Sequence, residues 1–318
     1  MSGHRLHHLL LACTVLLTSA VLSQGCASRS GRPDYPDFSN FNDLKPWVFA
    51  RRPDVKLFRK KGPFGHRIYR NMTIRLTRNE QIELDYYISR HKQRAPLVIF
   101  QHGNLASKSV HENQAKHIAS WGMHAIVVSQ PNEDRWIKNG HMLAKLVRLL
   151  YVWPHLLDNH FDPKNIIAVG HSFGGSAIAI AAGSRAPLKG VVFLDPALVN
   201  SKVKHYLKQI HIPAVLLGAD TSVFRSRRRK YFYNLVPGNI VEISVRGATH
   251  NDAQSPNLFS FLQTIGLEQK PTQSRQLQFK AAIVASAFGL ASTGKNTFTW
   301  AALQPGIERG RLIRPRRK

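Results

Sequence analysis

The chain contains little cysteine and few acidic residues. Its two cysteines among 318 residues are Cys13 and Cys26, both near the N-terminus. The remainder of the chain can therefore form no internal disulfide and no thiolate metal site. There are 45 lysine and arginine residues against 18 aspartate and glutamate residues, a formal net charge of +27. A positive charge of this size favours anionic partners, including the headgroups of a membrane surface.

The sequence lacks the patterns that typify nucleic-acid-binding proteins. It has no zinc-finger spacing, no basic zipper and no basic strand interleaved with aromatic residues, so a nucleic acid partner is not expected. The positive residues are spread along the chain, and they cluster only in Arg225–Lys230 and Arg309–Lys318. The clusters are compatible with binding to an anionic membrane surface. A general basic composition that only keeps the protein soluble is the alternative.

The N-terminus has the pattern of an export signal. Arg5 and several histidines precede an apolar stretch over residues 9–22, which is too short to span a bilayer comfortably. The following Ser23–Cys26 resembles the lipobox of bacterial lipoproteins, which implies that Cys26 is lipidated, although Leu22 lies one place too far from the cysteine. We expect an exported lipoprotein of a bacterial envelope, with a periplasmic or secreted protein as the alternative.

The composition of the chain predicts four segments. Residues 1–26 are the signal peptide, and residues 27–50, rich in serine, glycine, proline and aspartate, are a linker. Residues 51–268 form one large domain, and residues 269–318 are a basic C-terminal extension. The apolar piece Phe279–Ala291 within this extension is expected to pack on the domain, because it is too short to span a membrane. The sequence does not indicate an oligomeric state.

Short apolar strands alternate with helical stretches from residue 72 onward. This alternation predicts an α/β fold with a mostly parallel central sheet and helices on both faces. An antiparallel hairpin around Asn79 comes first. The predicted parallel strands are 97–100, 125–129, 166–169, 191–194, 214–217 and 240–245, and the predicted helices are 111–121, 141–157, 172–183 and 258–265. The connection between the strands at 191 and 214 is too short for a large lid.

The sharpest motif is Gly170-His171-Ser172-Phe173-Gly174, a G-x-S-x-G between an apolar strand and an alanine-rich helix. In this position a serine occupies a strained turn, and the flanking glycines avoid crowding the backbone. Ser172 is therefore the candidate nucleophile. A glycine-rich corner without catalysis is the alternative interpretation.

A nucleophilic serine needs a base, an acid and an oxyanion hole. His250 follows the last predicted strand in a glycine-led loop and is the candidate base. Asp195 and Asp220 end two neighbouring strands and compete for the role of the acid that orients the histidine. The backbone N–H groups of Asn104 and Phe173 are the expected oxyanion donors.

From about Leu97 to Asp252 the chain resembles one branch of the α/β-hydrolases, which contains platelet-activating-factor acetylhydrolases, chlorophyllases and bacterial cutinases and polyester hydrolases. The matching stretches are Gly170–Gly175, Leu194–Pro196, Ile212–Pro213, Gly218–Asp220 and Gly247–His250. The acetylhydrolases and chlorophyllases imply Asp195 as the acid. The cutinases imply Asp220, but their acid usually lies a residue or two beyond this position, so we favour Asp195.

The motifs and the resemblance together predict a serine carboxylester hydrolase that works through an acyl-enzyme. No metal and no organic cofactor is required, and the partner is an ester substrate, with lipids or other envelope components as candidates. An acyltransferase or a peptidase on the same fold, and a non-catalytic envelope protein, are the alternatives. Leu105, Phe173 and Trp121 are candidates for the substrate pocket, and each would also suit the core.

Overall fold

A nine-stranded sheet forms the centre of the protein in the computed structural model, which describes residues 35–91, 93–129, 134–222, 229–256 and 269–318. All of these residues lie in one unit, Pro33–Lys318. The strands are β1 (His66–Thr77), β2 (Glu80–Ser89), β3 (Ala95–Gln101), β4 (His124–Val128), β5 (Phe161–His171), β6 (Gly190–Leu194), β7 (Ala214–Ala219), β8 (Ile240–Val245) and β9 (Leu312–Arg317).

The strand order is β1-β2-β4-β3-β5-β6-β7-β8-β9. Strands β3 to β8 are parallel to one another, β1 and β2 form an antiparallel hairpin, and β9 pairs antiparallel with β8. Every residue of β3, β4, β6, β7 and β8 is buried, as expected for strands covered on both faces. The predicted hairpin and parallel strands are confirmed, and the arrangement is compatible with an α/β-hydrolase fold.

Helices cover both faces of the sheet. In the described residues they are α1 (Phe41–Phe49), α2 (Glu112–Ser120), α3 (Trp136–Val152), α4 (Phe173–Gly183), α5 (Val203–Leu207), α6 (Lys230–Leu235), α7 (Gln273–Thr293) and α8 (Thr297–Glu308). Side chains of α1, α2, α7 and α8 belong to the apolar core on one face, and those of α3, α4, α5 and α6 to the core on the other. The described part of the chain contains no helix suited by length and apolarity to crossing a membrane.

A short helix lies within the range that the sequence predicts as a linker. Residues 27–50 were expected to be a linker, yet α1 lies within this range and buries Phe41, Leu44 and Val48. The spacing of these three residues places them on one side of the helix, which packs into the core. The Asn40 side chain begins α1 by accepting hydrogen bonds from the backbone N–H groups of Asn42 and Asp43. A helix of only nine residues gave too little periodicity to be recognised.

The C-terminal residues 269–318 are likewise integrated into the fold. Helix α7 spans 21 residues, and its Phe288 is buried against Phe41, Phe58 and Phe298. The apolar piece Phe279–Ala291 therefore packs on the domain as expected. The basic tail adds β9 at the edge of the sheet, where arginine-rich strands discourage pairing with other chains. The C-terminal helices and β9 thus lie in the same compact unit as the rest of the described sheet.

Some expectations lie outside the described residues. They concern the signal peptide over residues 1–26, the lipidation candidate Cys26, the helix predicted over 258–265, and residues 225–228 of one basic cluster. These remain predictions from the sequence.

Candidate active site

Ser172 lies in the tight turn between β5 and α4. Its backbone φ of 54° and ψ of −124° fall in a region that residues other than glycine rarely adopt. The strained turn follows directly from the carboxyl end of β5, at the edge where parallel sheets place their sites. The sequence predicted this position for Ser172.

The glycines around Ser172 are required by close packing. A Cβ atom on Gly170 would lie 2.5 Å from the carbonyl oxygen of Gly174, and one on Gly174 would lie 2.4 Å from the carbonyl oxygens of both Gln101 and His102. These separations are far below normal contact distances, so a larger residue at either position would force the backbone apart. The two glycines therefore hold the turn against the end of β3.

His250 lies in a 3₁₀ turn after β8. Gly247 takes a left-handed φ of 64° and begins the loop. The loop is fixed by Asp252, whose Oδ2 accepts hydrogen bonds from the backbone N–H of Thr249 at 2.8 Å and its hydroxyl at 3.0 Å. The guanidinium of Arg275 in α7 pairs with the same carboxylate at 2.7 Å. The C-terminal segment thus supports the turn that carries His250.

Asp195 is the acid that contacts the histidine. It follows β6 directly, and its Oδ2 accepts a hydrogen bond from His250 Nδ1 at 2.7 Å. Its Oδ1 accepts one from the backbone N–H of Ala219 at 3.0 Å. Asp195 is fully buried. Because both of its carboxylate oxygens accept a hydrogen bond, the carboxylate is held in one orientation.

Asp220 occupies a different position. Its Oδ2 accepts a hydrogen bond of 3.4 Å from the backbone N–H of Gly247, at the beginning of the histidine loop. This contact indicates a role in shaping the turn after β8. The two candidate acids, which the sequence left in competition, therefore differ in which part of the loop they contact.

The guanidinium of Arg229 is a buried partner of Asp195 that the sequence did not indicate. Its Nη1 donates to Asp195 Oδ1 at 2.6 Å and to the carbonyl oxygen of Ala219 at 2.8 Å, and the residue is 2% exposed. Its Nε lies 3.5 Å from Glu242 Oε1, and Arg316 of β9 forms an ion pair with the same glutamate. Arg229 belongs to the basic cluster Arg225–Lys230 that the sequence made a candidate for binding an anionic membrane surface, and its burial leaves its own charge inside the protein.

The charge of Asp195 is stabilised by these partners. Burial opposes ionisation, but the positive charge of Arg229 and the hydrogen bond from His250 outweigh it, and they hold the pKa of Asp195 well below its usual range. The buried acid is therefore an anion across the neutral range. An anionic acceptor at Nδ1 leaves Nε2 of His250 as the ring nitrogen that can accept a proton.

His171 connects the serine turn to the histidine loop. Its Nε2 donates to the backbone carbonyl of His250 at 2.9 Å, its Nδ1 lies 3.2 Å from the side-chain nitrogen of Gln254, and the rings of His171 and His250 are 4.4 Å apart at their centroids. Since Ser172 is the next residue, this contact brings His250 close to the candidate nucleophile. Burial lowers the pKa of His171 well below its usual value, which keeps its ring neutral.

The loop after β3 lies against the serine. A Cβ atom on Gly103 would come within 2.7 Å of Ser172 Cβ, so the following Asn104 is adjacent to the nucleophile turn. The Nδ1 of His102 is 2.8 Å from the Gly103 carbonyl oxygen and holds this loop. Phe173 is the first residue of α4, where backbone N–H groups have no partner within the helix. The expected oxyanion donors, Asn104 and Phe173, therefore flank Ser172.

The three pocket candidates from the sequence have different environments. Leu105 is 76% exposed beside the oxyanion loop, whereas Trp121 is fully buried in the core against Phe58, so the pocket interpretation is wrong for Trp121. Phe173 packs edge-on against Trp136, with ring centroids 5.5 Å apart. Trp136 and Val199 also line a cavity of about 420 Å³. Among the described residues, no histidine, cysteine and carboxylate groups cluster so as to hold a metal ion.

The comparison with known proteins found two relatives of part of the chain. It is 28% identical to cutinase est1 of Thermobifida alba and 29% identical to cutinase est2 of the same organism, in each case over 113 residues. The matched region is 34% of this chain and 35% of each cutinase, so the chain spans about a third of the length of these relatives. No family model matches the chain. The likeness is weak and partial, and it is to cutinases of the α/β-hydrolase class.

Buried neutral histidines predict that the protein loses stability in mild acid. Burial lowers the pKa values of His111, His117 and His124 from 6.5 to about 4. Between these two values the unfolded chain binds protons that the folded chain does not, so the free energy of unfolding decreases as the pH falls. At about pH 5 we expect a loss of roughly 2 kcal/mol for each of these residues relative to about pH 8.

Urea unfolding at a series of pH values measures this loss. The variant His117→Gln, which keeps a donor for the Phe58 carbonyl, should reduce the pH dependence, and the exposed control His155→Gln should not. A free energy of unfolding that stays constant from about pH 8 to about pH 5 would contradict the neutral state of these rings.

Proposed function

We propose that the protein is a serine carboxylester hydrolase with Ser172 as nucleophile, His250 as general base and Asp195 as the orienting acid. The observation that carries this proposal is the 2.7 Å contact between His250 Nδ1 and Asp195 Oδ2, in a loop packed against the strained Ser172 turn. The partial likeness to two cutinases supports ester hydrolysis as the reaction class.

The reaction begins with transfer of the Ser172 hydroxyl proton to Nε2 of His250 as the serine oxygen bonds to the ester carbonyl carbon. The backbone N–H groups of Asn104 and Phe173 stabilise the oxyanion of the tetrahedral intermediate. The intermediate then loses the alcohol, which takes the proton from His250, and an acyl-enzyme remains. Water then attacks the acyl carbon as His250 takes one of its protons, and the intermediate releases the carboxylic acid as His250 returns that proton to the Ser172 oxygen.

An open site favours short acyl chains or esters presented on a surface or a polymer. The connection between β6 and β7 contains only the five-residue helix α5, which leaves no large lid at this place. The exposed Leu105 beside the oxyanion loop offers an apolar contact for such a substrate. The cavity beside Trp136 is a candidate for the acyl chain. Export to a bacterial envelope, lipidation at Cys26 and an anionic lipid surface as the place of action are further parts of this proposal.

The two aspartates are distinguished by substitution. In Asp195→Asn the amide cannot hold His250 in the required tautomer, so we expect kcat for nitrophenyl ester hydrolysis to fall about 10⁴-fold. Asp220→Asn keeps an oxygen for the Gly247 N–H and should change kcat little. Ser172→Ala is the background control, and an acyl-chain-length series with the unmodified enzyme gives the chain preference. Equal and mild losses in both aspartate variants would refute the assignment of Asp195.

Arg229 is proposed as a positioning residue for Asp195. Its positive charge competes with the protonated His250 for the same carboxylate, so removal of this charge should favour the imidazolium. We therefore expect Arg229→Met to shift the acid limb of kcat/KM to higher pH, and Arg229→Lys to restore most of the normal profile. Arg229→Met also leaves buried carboxylates uncompensated, at a cost of about 3–5 kcal/mol in folding free energy.

The pH profile separates positioning from stability alone. Thermal melting at each pH of the profile gives the folded fraction of Arg229→Met, and kcat/KM is divided by that fraction before the acid limb is located. An acid limb that stays at the same pH in folded Arg229→Met would contradict the proposed role.

A further inference from the structure

Four arginines from separate parts of the chain line one cavity away from the candidate active site. The cavity has a volume of about 260 Å³. Its arginines are Arg59 after α1, Arg246 after β8, Arg275 in the first turn of α7, and Arg311 just before β9. None of the candidate catalytic residues lines it. The fold therefore brings four positive charges together at a place that the proposed hydrolysis does not use.

Two of these positive charges lack a partner within the described residues. Arg275 pairs with Asp252, and Arg246 Nε donates to the carbonyl oxygen of Gly310 at 2.5 Å. The guanidinium groups of Arg59 and Arg311, by contrast, form no hydrogen bond or ion pair with any residue that the structure describes. Since the like charges around this cavity repel one another, a bound anion would stabilise them.

A buried amide at the same cavity also lacks a partner. The side chain of Gln278 lines the cavity and is 4% exposed, and its amide nitrogen makes no hydrogen bond to the described part of the chain. The nitrogen itself is closed off from a molecule the size of water, so the cavity lies beside this amide and the amide nitrogen is not a donor to a ligand there.

The first turn of α7 adds to the same preference. Ser274 and Arg275 of this turn line the cavity, and the first backbone N–H groups of a helix favour an anion. The nearby carboxylate of Asp252 is already bound by Arg275, Thr249 and the backbone N–H of Thr272, so it does not compensate the remaining arginines. The volume is several times the roughly 30 Å³ of a water molecule, which leaves room for a tetrahedral oxyanion with its hydration.

We infer that this cavity binds a phosphate-type anion, either as free phosphate or as the phosphate of a lipid headgroup. Guanidinium groups are forked donors whose geometry matches the oxygens of such an anion. The site is separate from Ser172 and needs no catalytic step.

Isothermal titration of the full-length protein with inorganic phosphate tests the site. We expect one saturable site per chain and binding at least about tenfold weaker in the double variant Arg59→Gln/Arg311→Gln, as loss of charged hydrogen bonds implies. The control Arg75→Gln/Arg78→Gln removes the same charge from exposed positions of the β1–β2 hairpin and should bind phosphate normally.

Co-sedimentation with vesicles distinguishes the two sources of phosphate. The vesicles contain phosphatidylglycerol, and the ionic strength is held fixed. If the cavity variant Arg59→Gln/Arg311→Gln binds these vesicles less than the control variant does, the ligand is the phosphate of a lipid headgroup. If the cavity variant binds inorganic phosphate more weakly but binds the vesicles as the control variant does, the ligand is free phosphate. If phosphate titration gives an adventitious ion only, and vesicles bind equally to the cavity and control variants, the inference is overturned. Melting temperatures confirm that each variant is folded.

Discussion

The buried carboxylate of Asp195 is the interaction on which the candidate site depends. A fully buried anion is costly unless it is paired and hydrogen-bonded, and Asp195 meets both conditions through Arg229, His250 and the backbone of Ala219. The same contacts fix the direction of the His250 ring. The arrangement that makes this charge tolerable is therefore also the one that would prepare the histidine as a base.

The C-terminal segment supports this arrangement at two points. Arg316 of β9 pairs with Glu242, which in turn lies beside Arg229, so carboxylates and guanidinium groups alternate from the sheet edge to Asp195. Arg275 of α7 holds Asp252 at the base of the histidine loop. Residues far along the chain from the G-x-S-x-G motif thus contribute to the geometry around it.

The sequence was sufficient for the sheet and for the surroundings of Ser172, because buried parallel strands and a glycine-flanked serine are both local patterns. It did not decide between Asp195 and Asp220, since both end adjacent strands and only three-dimensional contacts distinguish them. The burial of Arg229 could not be predicted for a similar reason, because the local sequence does not distinguish a buried arginine from its basic neighbours. Helix α1 and the integration of α7 depend on distant core contacts, which short or serine-rich segments do not reveal.

The most direct measurement of the central claim is covalent labelling with a fluorophosphonate, followed by peptide mass spectrometry. If Ser172 is activated by His250 and Asp195, the probe forms one adduct, on Ser172, and labelling accelerates as the pH rises through the range in which a histidine base loses its proton. Ser172→Ala then carries no adduct. A protein that stays unlabelled, or an adduct on another residue that persists in Ser172→Ala, would contradict the account.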